Sequence, residues 1–88
     1  MEFEFDPAKS RVDRAKHGDD FVTAQKLWDD PDRLEVPART QDEPRLALLA
    51  RYEGKVWVAL FTYRGERVRV ISVRRARDKE VRLYYESD

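Results

Sequence analysis

Residues 55–75 read KVWVALFTYRGERVRVISVRR, and the way this stretch alternates decides the fold. Two apolar, β-branched runs flank a step at Gly65, the pattern of two antiparallel strands joined by a tight turn. In the first run Val56, Val58 and Leu60 point one way and Trp57, Ala59 and Phe61 the other, as expected of a central strand covered on both sides. Upstream, RLALLARY (45–52) ends at a second X-Gly step, Glu53-Gly54, so a three-stranded antiparallel meander is expected over 45–75.

Outward from this meander the punctuation is helical. EFEF (2–5) alternates with period two and suits a short half-buried strand. Asp6 and Pro7 offer an N-cap and a first helical residue, and KHG closes that helix at Gly18, with Ala8, Val12 and Ala15 forming one narrow apolar stripe. DDFVTAQKLWDDP (19–31) repeats the device, with Pro31 forbidding continuation. RLEVP is a possible strand, ARTQDEP a polar loop, and DKEVRLYYESD a terminal helix with Val81, Leu83, Tyr84 and Tyr85 available for docking. The order β-α-α-(β)-β-β-β-α predicts an α+β domain spanning 1–88. Its expected frame is a twisted antiparallel sheet with a three- to four-stranded core meander, two N-terminal helices and one C-terminal helix.

Composition narrows the chemistry. Cysteine is absent and His17 is the sole imidazole, so disulfides and thiol nucleophiles are excluded, metal-free chemistry is favoured, and no cofactor is implied. The apolar runs LALLA and VWVALF are too short to span a bilayer, and MEFEFDPAK lacks the features of a signal peptide, so a cytoplasmic location without membrane association is expected. The formal net charge is zero, yet residues 1–44 carry 12 acidic and 7 basic groups while residues 45–88 carry 6 and 11. Such a layout offers one cationic surface to a polyanion while avoiding indiscriminate attraction, or it serves pairing between the halves.

The ordered set FEFDPAK, KHG, F..A...WDDP, E.R, TYRGERVRVISVRRA and E...YYE closely resembles the BrnT family of ribonuclease toxins of bacterial type II toxin–antitoxin pairs. The resemblance implies a RelE-like fold, metal-independent RNA cleavage, growth arrest by the free toxin and neutralisation by a cognate BrnA antitoxin, with operator DNA met only indirectly through the antitoxin complex. Three positions depart from the family pattern: Asp13 stands where Asn is usual, Arg77 where Thr opens the last helix, and Tyr63 where Glu is common. The Arg77 change removes half of a capping box ahead of Glu80, a role that Asp78 is available to take over.

RNA cleavage through the 2′-hydroxyl needs a base, an acid for the leaving oxygen, and cations around the phosphorane. Arginine suits the cationic role because its planar fork stays charged and matches two phosphate oxygens. Unbroken alternation along 67–75 would put Arg67, Arg69, Val73 and Arg75 on one face and Val68, Val70, Ser72 and Arg74 on the other. Arg74 is the leading candidate, with Arg64 expected to join it across the hairpin. Arg67 and Arg69 either touch RNA or merely solvate an edge strand. His17 is an acid or base, or a helix C-cap. Glu43 and Arg45 form a candidate base and phosphate ligand, or a plain surface ion pair. Glu80 is a catalytic carboxylate or a complement to the helix dipole, and Tyr84 or Tyr85 a stacking or proton-donating group, with one of the two in the core. Lys9, Lys16 and Arg75 complete the candidate RNA contacts. A non-catalytic nucleic-acid-binding or protein-interaction module is the competing reading.

Overall fold

The computed structural model describes residues 2–5, 21–38 and 45–87. In chain order these form β1 (Glu2–Phe5), α1 (Phe21–Leu27), β2 (Leu34–Ala38), β3 (Arg45–Tyr52), β4 (Lys55–Arg64), β5 (Arg67–Arg75) and α2 (Asp78–Glu86). The expected helix ahead of Gly18 lies outside the described residues, so two helices are seen among them.

Strands β3, β4 and β5 make the predicted meander, and their turns are the two X-Gly steps. Glu53 and Gly54 both have positive φ, 52° and 76°, as a type I′ hairpin requires. At the second turn Gly65 alone is positive, at 61°, which matches type II′ with its leading glycine. The sheet, however, has five strands in the order β1-β5-β4-β3-β2, and it is mixed. β2 adds antiparallel to β3, and β1 adds parallel to β5 with Glu2 opposite Arg67 and Glu4 opposite Arg69. The expected three- to four-stranded antiparallel sheet is thus corrected at both edges. A four-residue alternating run states that it is a strand but not which neighbour it joins or in which direction.

The two faces of β4 separate as its alternation predicted. On one side Phe61, Ala59, Leu48, Ala50, Val68, Val70 and Val73 form a buried cluster with Ala24 and Leu27 of α1. Phe3, Trp28 and Tyr63 extend it edgewise: ring centroids lie 5.2 Å apart for Phe3–Trp28, 5.1 Å for Trp28–Phe61 and 5.4 Å for Phe61–Tyr63. On the other side Ala47, Leu49, Val56 and Val58 bury Tyr84 of α2, with Val81, Ala76, Leu34 and Leu60 packed against them. The first face is called the aromatic face below and the second the arginine face.

A β-bulge decides what β5 presents to each. Leu60 pairs with Ser72 but Phe61 pairs with Val70, which leaves Ile71 unopposed. One extra residue inverts the alternation beyond it. Val68, Val70, Val73 and Arg75 therefore share the aromatic face, while Arg67, Arg69, Ser72 and Arg74 share the other. The grouping expected from unbroken alternation is corrected here, because Val73 stays in the core only if the strand slips by one residue after Val70.

Candidate functional site

The arginine face is half covered. Helix α2 closes the end near Val56 and Val58, held by Tyr84, whose hydroxyl donates to Asp30 Oδ2 at 2.6 Å. Asp30 also accepts the backbone N–H groups of Arg51, at 2.8 Å, and Asp32, at 2.9 Å. Burial pushes the Asp30 carboxyl up, but these three hydrogen bonds outweigh it and hold the group below its usual range. Burial, then the hydrogen bond to Asp30, push the Tyr84 phenol well above its ordinary value. With only 6% of its surface exposed, Tyr84 is the core anchor of the tyrosine pair, and Tyr85 is the exposed member.

Beyond α2 the face carries mainly cations, with Glu2 and Glu4 of β1 beside Arg67 and Arg69. Register places Arg45 of β3, Arg64 of β4 and Arg67, Arg69 and Arg74 of β5 on this one side. Arg64 sits opposite Arg67, six positions along β4 from the Val58 that faces Arg74, or about 20 Å at strand rise. It does not join Arg74 across the hairpin as expected; the hairpin puts them at opposite ends. Arg75 points to the aromatic face instead, its guanidinium 5.4 Å from the Trp57 ring centroid. That placement takes it away from the other arginines.

Each cation has a different state. Arg67 is exposed and bonds two β1 carboxylates, Glu2 at 3.0 Å and Glu4 at 3.4 Å. The alternation of EFEF against RVRV carried this signal, since both runs place their charges in the same register. The Arg64 and Arg69 side chains have no hydrogen-bond partner or ion pair among the described residues. The Arg45 Nε is buried without a hydrogen-bond partner among the described residues, a donor whose desolvation is offset only when an acceptor reaches it.

Arg74 is the most constrained. Its Nη1 donates to Glu80 Oε1 at 2.8 Å and its Nη2 to Glu80 Oε2 at 2.7 Å. Nη1 also donates to the Arg75 carbonyl oxygen at 3.2 Å. Glu80 in turn accepts the backbone N–H of Arg77 at 2.8 Å, making its half of a capping box. Arg77 is the N-cap, not Asp78, and a guanidinium has no acceptor with which to make the other half. The hydrogen bonds to Glu80 raise the Arg74 pKa, and those from Arg74 hold the Glu80 carboxyl below its usual range. Lys9, Lys16, His17 and Glu43 lie outside the described residues, as does Asp13. Tyr63, at the third departure, donates to Glu35 Oε1 at 2.6 Å on the aromatic side.

A half-open sheet face with six strand arginines, Arg51 at its α2 end among them and Arg74 held by a bidentate carboxylate, marks a small α+β protein. The family model for the ribonuclease toxin BrnT of type II toxin–antitoxin systems matches residues 5–80. The chain belongs to that family, whose members are ribonuclease toxins with an antitoxin partner and RNA as target. No curated protein matches it. Among the described residues no helix is long and apolar enough to cross a membrane.

Proposed function

We propose that this chain arrests growth by metal-independent endonucleolytic cleavage of RNA on the arginine face. A cognate BrnA-like antitoxin restrains it by covering that same face. The observation that carries the reading is the gathering of Arg45, Arg64, Arg67, Arg69 and Arg74 on one side of the sheet. Spaced along β5, Arg69 and Arg74 lie about 13 Å apart at strand rise, far enough to meet different phosphates of one strand. Arginine supplies fixed positive charge where the phosphorane develops its own negative charge, and that is the contribution a metal ion would otherwise make. In this reading Arg74 stabilises the phosphorane and Arg45, Arg64, Arg67 and Arg69 hold the backbone. Lys9 and Lys16 add phosphate contacts, and His17 and Glu43 serve as acid and base. Toxin and antitoxin act in the cytoplasm, and operator DNA is met only through the antitoxin complex.

The test is incubation of total RNA with the purified chain in excess EDTA, with Arg74→Ala purified identically beside it. Cleavage by wild type alone is the expected result. Equal cleavage by both would expose a contaminating nuclease, and cleavage only when magnesium is restored would overturn metal independence.

A further inference from the structure

The planar guanidinium of Arg74 carries five N–H bonds in a fixed arrangement, so its free edges can be counted. Glu80 occupies the end formed by Nη1 and Nη2, taking one hydrogen from each. The second hydrogen of Nη1 goes to the Arg75 carbonyl oxygen. What remains is Nε–H and the outer hydrogen of Nη2, which lie parallel along one side of the plane. They have no partner among the described residues, and the Arg74 side chain is 28% exposed, so solvent reaches it. Two parallel N–H bonds on a charged group match two oxygens of a phosphate.

Glu80 is equally constrained. Both oxygens accept from Arg74, and Oε1 accepts from the Arg77 backbone as well. Its carboxyl is held below its usual range, so it is a weak proton acceptor at neutral pH. It sits in the first turn of α2, which is anchored one turn later by Tyr84 on Asp30. A rigid helix thus fixes the carboxylate, and the carboxylate fixes the guanidinium.

We infer that Glu80 is a positioning residue rather than an acid or base, and that it presents the Nε–Nη2 edge of Arg74 to an RNA phosphate. The inference deepens the proposed reading of the arginine face and rests on it. Two alternatives are excluded by its terms: Glu80 as general base, and the Arg74–Glu80 pair as a mere staple for α2.

The experiment has a kinetic arm and a binding arm. Glu80→Gln places an NH2 donor against a guanidinium donor and removes the charge that aligns it. The expected result is a kcat lower by about 10²-fold with an unchanged shape of the pH profile, as misorientation produces. Loss of the acid limb of that profile would make Glu80 the base and overturn the inference, as would unchanged kinetics with a lowered Tm. Arg74→Lys keeps charge and one contact to Glu80 but lacks the fork. It is expected to retain most of the wild-type Tm and still lose cleavage, so a failure of Glu80→Gln to fold does not end the test.

For binding, the side-chain Nε–H signal of Arg74 is followed by NMR while a mixed-sequence 2′-O-methyl hexanucleotide, which cannot be cleaved, is added. A shift in wild type that is lost in Glu80→Gln is expected. Should that shift appear in a protein that cleaves no RNA, the ribonuclease reading fails and the positioning inference stands. Cleavage without any shift at Nε would sink the inference alone.

Discussion

The two faces of this sheet are built from the same strands and are covered to different extents. The aromatic face is closed by α1 over Phe61, Val68, Val70 and Val73, and its one arginine on β5, Arg75, is spent on the Trp57 ring. The arginine face is closed only where Tyr84 docks, and the rest carries charged groups that burial would penalise. One face is covered by apolar packing, and the other is covered only at its α2 end. The division shows that stability and charge display can be separated across a single sheet, provided the register keeps every arginine but Arg75 off the core side.

The largest loss of stability is expected at Phe61. It is fully buried among Trp28 and the β5 valines, so Phe61→Ala is expected to cost about 3–5 kcal/mol in urea or thermal unfolding. A loss under about 1 kcal/mol would mean the aromatic face is not the core. Arg74→Ala should show the reverse profile, with cleavage reduced about 10²–10³-fold, the range for losing one electrostatic stabiliser. Parallel losses of cleavage and folding there would erase the distinction between the faces.

Asp30 and Tyr84 give a smaller effect with a definite sign. Asp30 and Glu80 titrate lower in the native state than unfolded. The stability they contribute is therefore complete above the ordinary carboxylate range and lost as pH falls through the native values, below about pH 4. Asp30→Asn should flatten that acid loss, and Tyr84→Phe should cost about 0.5–1.5 kcal/mol at neutral pH, both read from denaturation midpoints across pH. An acid limb as steep in Asp30→Asn as in wild type would dismiss the linkage.

Finer still is the contrast between two arginines on the same strand. Arg69→Ala should weaken RNA binding and lower the magnitude of the salt slope by about one, as expected for one lost phosphate contact. Arg75→Ala should leave RNA binding and its salt slope unchanged while costing about 0.5–1 kcal/mol of stability through the lost ring contact. Identical behaviour of the two would contradict the bulge at Ile71.

Much of the frame was legible because its signals are local. Glu53-Gly54 and Gly65 announce their turns by the φ values they must adopt, and Val56–Phe61 announces a doubly covered strand by alternating apolar groups. The site was less legible. Arg74 was readable as a cation near a helix start, whereas its bidentate union with Glu80 depends on the angle at which α2 leaves β5. Nothing in DDP distinguishes Asp30 as the acceptor for a tyrosine 54 residues later. EFEF and RVRV could have been matched as complementary patterns, yet their parallel pairing follows only once the intervening chain has been placed.

From its residues alone this chain determined where strands turn, which side chains of β4 are buried, that cations accumulate after Arg45, and the family to which their order belongs. Those properties follow from backbone preference and hydrophobic period, which act over a few residues. Tertiary structure alone decided the mixed five-stranded order, the bulge that unites Arg67, Arg69 and Arg74, and the bidentate carboxylate that holds Arg74. Each of these is a competition among distant pairings, settled by which arrangement buries Val73 and satisfies the charged groups at the same time.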